Sequence, residues 1–202
     1  MNIYQILLPV STLLYFLLIF VIRSFIHWRQ TGVNPFVFGK SEGAHDYIGK
    51  IYKVLFATSW IMIALFSFGN KWYQLLLPIY YLEYDVLKQG GVILLFVSLV
   101  YTSLAQYEMS GSWRIGINYE EKTSLIQTGA FRYSRNPIFL GIQISYIGMF
   151  LVAPNVLSFT LLVTMFLCFQ IQVRLEESYL LDKHGEEYHE YYKRVPRWLI
   201  FK

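Results

Sequence analysis

The residues of this chain best suited to chemistry fall in two short charged clusters. One is RYSRNP at 132–137, where Arg132, Arg135 and Asn136 stand directly before an apolar run. The other is RLEESYLLDKHGEEYHEYYKRVP at 174–196, which opens with Arg174, Glu176 and Glu177. A guanidinium takes a carboxylate in a two-pronged contact, and a glutamate accepts from an ammonium or a hydroxyl. Ionisable groups near membrane depth are costly unless they pair or face an aqueous cavity, so a mixed set of Arg and Glu marks a candidate site. The plainer alternative is that such arginines anchor a helix end and such glutamates are simply solvated.

The elements that must position these residues are membrane spans. The chain is 55% hydrophobic and only 15% charged over 202 residues, and its mean hydropathy is positive, which places it among membrane proteins. Apolar runs extend from about Tyr4 to Ile22, Ile51 to Phe68, Gly91 to Gln106, Pro137 to Ala153 and Val156 to Val173, each near the length that crosses a bilayer core. The fold class expected is all-α, a polytopic helical membrane protein of about five spans with an amphipathic cytoplasmic segment at its C-terminus. The first run has no basic residue before it, its first charge being Arg23, and is read as a retained span rather than a cleaved signal. Trp72 to Leu87, interrupted by Pro78 and carrying Glu83 and Asp85, is read as interfacial or re-entrant.

The net charge of +4 has a topological explanation. Five Lys and Arg follow span one, four lie between spans three and four, and six lie in the tail, leaving Lys71 and Lys88 elsewhere. The rich side is the cytoplasmic one by the positive-inside rule, which puts the N-terminus outside and the C-terminus in the cytoplasm. No nucleic-acid partner is needed. The single cysteine, Cys168, lies inside span five, so neither an internal disulfide nor a cysteine-based zinc site is available. His27, His45 and His189 have no metal-ligand spacing partner on a shared helix face, so no metal site is expected. GKSEGAHDYIGK, which contains His45 and Asp46, reads as a flexible loop.

Spans four and five are separated only by Ala153, Pro154 and Asn155, so they form a helical hairpin. Arg132, Arg135 and Asn136 are thereby brought beside Arg174, Glu176 and Glu177. After span five the expected course is a helix leaving the membrane, a break near His184 and Gly185, and a short tyrosine-rich amphipathic helix ending before Pro196.

The stretch LIQTGAFRYSRNPIFLG at 125–141, with Glu176, Glu177 and HGEEYHEYYKRVP at 184–196, resembles the membrane methyltransferases typified by isoprenylcysteine carboxyl methyltransferase and the phospholipid methyltransferases. The resemblance divides the chain into an N-terminal transmembrane region, 1–106, and a methyltransferase-like region, 107–202. It implies methyl transfer from S-adenosylmethionine to a lipid or lipid-like acceptor, prenylated ones included, arriving from the bilayer. The cofactor contacts it implies are Thr123, Ser124, Leu125 and Ile126, then Phe131, the motif Asn136, Pro137, Ile138 and Phe139, and the Glu pair. Asn136 and Phe139 replace a His and a Tyr of the usual family motif. Where the isoprenylcysteine enzymes carry a substrate arginine this chain has Gln172, with Arg174 two residues further on, nearly on the opposite helix face.

On that reading Arg135 grips the cofactor's carboxylate, Glu177 accepts from its ammonium or ribose, and Phe131, Tyr133, Phe139 and Tyr188 offer aromatic faces to adenine or sulfonium. Glu176 is the first candidate base for an amine acceptor and His184 the second. Gln172 and Arg174 are the substrate contacts, with Arg174 holding an acidic group. No glycine-rich nucleotide motif of the soluble type is present, and GSWRIG at 111–116 reads as a loop. Two rivals stand beside this reading: an NADPH-dependent membrane reductase of a sterol or other lipid, and a non-catalytic membrane scaffold.

Overall fold

The computed structural model describes residues 2–36, 43–116 and 124–199. Its long helices are α1 (Tyr4–Thr31), α2 (Ala44–Ser67), α3 (Asp85–Met109), α4 (Pro137–Val152) and α5 (Val156–His184), followed by the short α6 (Glu186–Arg194). Among the described residues there is no strand, only isolated bridges pairing Phe36 with Ile115 and Pro78 with Asn155. The first three long helices and α5 are long and apolar enough to cross a membrane. Helix α4 is shorter than the span expected: its 16 residues rise about 24 Å, below the roughly 30 Å of a bilayer core. Pro137 sits in its first turn and Pro154 lies two residues beyond its end, so proline brackets the helix on both sides.

Side chains such as Val86, Ile93, Phe96 and Leu167 are more than half exposed on the outside of the bundle, a surface suited to hydrocarbon. Between helices the core is built from Leu8, Met62, Ile63, Val152 and Leu161, all essentially without solvent contact. The tightest seam joins α3 to α4 through small residues. A Cβ on Gly91 would lie 2.7 Å from the Gly148 carbonyl oxygen, and one on Gly148 would lie 2.8 Å from that of Gly91. This backbone contact sets the distance between the two helices.

The α4–α5 hairpin turns at Asn155. Its side chain accepts from the Ser158 backbone N–H at 2.9 Å, while the Ser158 hydroxyl accepts from the Asn155 N–H at 3.1 Å, a reciprocal cap that starts α5. The segment read as interfacial is made of short turns, Asn70–Tyr73, Gln74–Leu76 and Tyr80–Leu82, and its last residues begin α3 at Asp85. It packs on the hairpin turn, with the Ile79 N–H donating to the Pro154 carbonyl at 2.8 Å and the Val156 N–H to that of Leu77 at 3.1 Å. At the opposite end of the bundle Arg23 donates to the Ser110 carbonyl and the Ile115 N–H donates to that of Pro35 at 2.9 Å. The three basic segments therefore gather at one end, called here the charged end.

His45 and Asp46 depart from the loop expectation. Both lie in the first turn of α2, buried, with Nδ1 of His45 3.4 Å from the Asp46 carboxylate. Residues 39–42 of that motif, like Thr123, lie outside the described residues.

Candidate active site at the charged end

Helix α4 starts where Asn136, in a non-helical conformation, hands the chain to Pro137, and α5 runs past it to His184. The hairpin thus brings Arg135 and Asn136 against Glu177. The Arg135 guanidinium donates through Nε to Oε1 of Glu177 at 3.0 Å, and its second terminal nitrogen lies 2.9 Å from the same oxygen. Asn136 donates to that oxygen at 3.3 Å. Arg197, from beyond α6, holds the other carboxylate oxygen at 2.7 Å, and the carboxylate beside it raises the Arg197 guanidinium further above its ordinary range. One glutamate is therefore clasped between two arginines, with the Arg135 side chain only 3% exposed.

The remaining terminal nitrogen of Arg135 donates to the backbone carbonyls of Tyr192 and Val195, and its carbon lies 4.1 Å from the Tyr192 ring centroid. Every nitrogen of this guanidinium is engaged within the protein. The tail is fixed further by the Arg135 N–H donating to the Pro196 carbonyl at 3.0 Å, Ser134 donating to that of Arg197 at 3.1 Å, and the Tyr191 hydroxyl donating to that of Phe131 at 2.7 Å. Tyr188, Tyr191 and Val195 bury their side chains against Leu125 and Leu180. Burial pushes the Tyr188 and Tyr191 phenols above their ordinary range, so both are neutral fixtures at physiological pH.

Beside this clamp opens a cavity of about 820 Å³ that reaches from the charged end into the bundle. Its charged end is lined by Phe131, Arg135, Asn136, Gln172 and Glu176, and by Trp113 and Arg114 of the loop after α3. Gln172 is buried and donates to the Glu176 carboxylate at 2.8 Å, leaving its own Oε1 buried without a partner among the described residues. Deeper, the walls are Phe16 and Phe20 of α1, Phe56 and Trp60 of α2, Tyr146 and Met149 of α4, and Phe169 of α5. Phe139 packs on Phe169 with ring centroids 5.0 Å apart, where the two regions meet.

The residues singled out from sequence therefore divide. Phe131, Arg135, Asn136, Pro137, Ile138, Phe139, Gln172 and Glu176 line the cavity. Glu177 lies behind them in the clamp, and Leu125 and Tyr188 support the tail. Ser124 is exposed and hydrogen-bonded to Ser112 at 3.0 Å; neither it nor Ile126 is a lining residue. Tyr133 is 64% exposed and faces away. Arg174 also departs from expectation: it is exposed on the outer face of α5, where its guanidinium reaches back to the Gln170 carbonyl and side chain. Neither it nor His184 lines the cavity. Arg197, Trp113, Arg114 and the aromatic wall from α1 and α2 were not foreseen. The wall had a signal, since Gly49, Lys53, Phe56 and Trp60 recur at helical spacing on one face of α2.

Comparison with known proteins decides the kinship of this arrangement. Residues 88–187, which hold α3, α4, α5 and both halves of the Arg135–Glu177 pair, match the sequence profile of the family described as phospholipid methyltransferase. Those 100 of the chain's 202 residues are similar to the phospholipid methyltransferase family. Two rice proteins named as probable protein-S-isoprenylcysteine O-methyltransferases, from Oryza sativa subsp. indica and subsp. japonica, are each 32% identical over 124 residues. That alignment takes in 59% of this chain and 64% of each rice protein, so the chain spans less than two thirds of the curated relatives it matches. The solved structure of a eukaryotic intramembrane Ras methyltransferase, isoprenylcysteine carboxyl methyltransferase, superposes with a TM-score of 0.56 at 19% identity. It covers 75% of this chain and 53% of that one, and shows that the family fold extends beyond the profile into the N-terminal helices. Arg197 and most of α6 lie beyond the residues the profile matches.

Proposed function

We propose that this chain is an integral membrane methyltransferase that moves a methyl group from S-adenosylmethionine to a lipid or lipid-like acceptor, with its charged end in the cytoplasm. The observation that carries the proposal is the continuity of one cavity from a polar region at the charged end to an aromatic wall inside the bundle. A hydrophilic donor and a lipid acceptor meet only where two such regions join. The volume suits a small-molecule site, which runs about 300–1,000 Å³, and the orientation follows from the basic segments gathered at one end.

The residues present fit the cofactor's chemistry. S-adenosylmethionine, when bound, supplies a methyl carbon activated by an adjacent positive sulfur. The unpartnered Gln172 oxygen and the Glu176 carboxylate offer acceptors to ammonium or hydroxyl groups, while Phe131 and Phe139 offer aromatic faces. Asn136 is held beside them by Glu177. We assign Arg135 to holding the tail rather than a cofactor carboxylate, because its donors are engaged by Glu177 and two carbonyls. What these side chains contribute to rate is alignment of the two partners and exclusion of water.

Names carried by relatives suggest two acceptors to try, an S-prenylcysteine and a phospholipid with an amine headgroup. Purified full-length protein in lipid nanodiscs is incubated with methyl-labelled S-adenosylmethionine and either acceptor, or with lipid extracted from its own membranes. Label appearing in a lipid product supports the proposal. No label with any of the three acceptors counts against it.

A further inference from the structure

Four hydroxyl side chains line the cavity away from its charged end: Tyr15 of α1, Ser59 of α2, and Ser145 and Tyr146 of α4. Tyr146 stands nine residues into α4 from Pro137, about 13 Å along the axis from the Asn136 motif. Its core neighbours Leu95, Met149 and Met165 line the same cavity and are apolar. Tyr15 and Tyr146 are 8% and 7% exposed, and their phenols are close enough to interact electrostatically.

The hydrogen-bonding capacity of this group is not consumed within the protein. Ser59 donates to the Leu55 carbonyl at 2.8 Å, so in its 3.2 Å contact with Tyr146 the tyrosine donates and keeps its own oxygen as an acceptor. Ser145 donates to the Ile142 carbonyl at 2.7 Å and likewise keeps its oxygen. Thr102 on α3 is fully buried behind the lining, and its one hydroxyl partner among the described residues is Tyr15, 2.9 Å away. A buried hydroxyl gives its proton to the partner it has, so Thr102 donates to Tyr15 and the Tyr15 proton is left for another oxygen. One donor, Tyr15, and two acceptors, Ser145 and Tyr146, therefore stand together on an otherwise apolar part of the wall.

We propose that these three residues select an acceptor lipid that carries an oxygen partway along its chain. A hydroxyl both donates and accepts and matches all three groups; a carbonyl only accepts and matches Tyr15 alone. This rests on reading the inner part of the cavity as the acceptor site, and it narrows the acceptor to chain-oxygenated lipids, hydroxylated ones first. The competing role for the same side chains is to tie α1 to α3 and α2 to α4 by hydrogen bonds between helices, with the Tyr15 proton turned to Ser145 and indifferent to what fills the cavity.

The test uses binding rather than turnover, and uncharged probes. The full chain in detergent is equilibrated with equimolar methyl stearate, methyl 12-oxostearate and methyl 12-hydroxystearate, and native mass spectrometry gives the ratio of bound esters relative to that in the detergent. The hydroxy ester is expected to be enriched over methyl stearate by about eightfold and the oxo ester by about threefold, two hydrogen bonds and one at the modest value such bonds have within a membrane. Tyr15→Phe should remove the enrichment of the oxo ester, whereas Tyr146→Phe should keep it and narrow the gap between oxo and hydroxy esters. Uptake of methyl stearate by both variants reports an intact cavity. Equal uptake of the three esters by the parent, a comparison that needs no folded variant, overturns the proposal alone, as does an enrichment that survives both substitutions. No uptake of any ester overturns it together with the acceptor reading. Enrichment that follows Tyr15, with no methyl transfer to any acceptor, leaves the oxygen site standing and ends the methyltransferase reading.

Discussion

Replacing Glu177 with glutamine removes the one negative charge between two guanidinium groups and leaves the shape nearly unchanged. The Arg135 partner is 3% exposed and lies 2.9 Å away; the Arg197 partner is 21% exposed at 2.7 Å. Orphaning a charge in a buried pair costs about 3–5 kcal/mol, and the more exposed Arg197 contact adds at most about 1 kcal/mol. The glutamine oxygen still accepts one hydrogen bond, returning about 1–1.5 kcal/mol. The net loss is about 1.5–5 kcal/mol. It falls mainly on the segment after Gly185, which is held to the bundle by the carbonyl contacts of Arg135, by Ser134 and by Tyr191. With each 1.4 kcal/mol worth a factor of ten, the opening of this segment rises by about ten- to four-thousand-fold. Amide exchange from Tyr188 to Val195 should accelerate by that factor, and trypsin should cut at Arg194 at enzyme levels that spare the parent. Pairing Glu177→Leu with Arg135→Met should recover part of the protection, because an apolar pair replaces a charged one. Exchange in Glu177→Gln within threefold of the parent would refute the view that this charge holds the tail down.

Other perturbations follow from the same geometry. Gly148→Val forces a side chain into the Gly91 carbonyl and Leu95 and should lower thermal stability in detergent by about 3 kcal/mol or more, in line with overpacking. Gly129 has φ of +57°, and a Cβ there would lie 1.7 Å from Oε1 of Glu108, whose other oxygen accepts from the Ala130 N–H at 2.7 Å. Gly129→Ala should therefore displace the turn carrying Phe131 and weaken S-adenosylhomocysteine binding, measured by calorimetry, more than it lowers the melting temperature. Glu176→Gln should weaken that same binding about tenfold or more through loss of a charge-assisted contact, whereas Arg174→Ala, on the outer face, should leave it within twofold. Asn155→Ala removes the cap of α5 and should cost about 1 kcal/mol in the same melts.

The bundle and its clamp were legible because two signals are local. Apolar run length gives the spans, and a three-residue connection with Pro154 and Asn155 makes α4 and α5 neighbours, so Arg135 and Glu177 had to meet. Helix α4 came out short because proline at both borders, rather than hydropathy, sets its length. Arg197 was hidden because it lies past Pro196, where the chain has no periodicity to show which way it turns. The sequence displays the charge of Arg135 but not the carbonyls of Tyr192 and Val195 that fold back onto it. The glycines and serine of GKSEGAHDYIGK suggest a loop around His45, yet helix α2 begins at Ala44, seven residues before the apolar run starts at Ile51. The cavity wall from α1 and α2 needed the tertiary contacts, since an aromatic stripe at helical spacing serves a core as well as a cavity.

The central claim is that the polar region beside Asn136 and Glu176 takes an S-adenosyl nucleotide and that its wall continues into an acceptor site. Thermal unfolding of the purified chain in nanodiscs, with S-adenosylhomocysteine in one sample and NADPH in another, tests this most directly. The account predicts a midpoint raised by S-adenosylhomocysteine and unmoved by NADPH, with the shift reduced in Glu176→Gln. Protection by NADPH alone would contradict it.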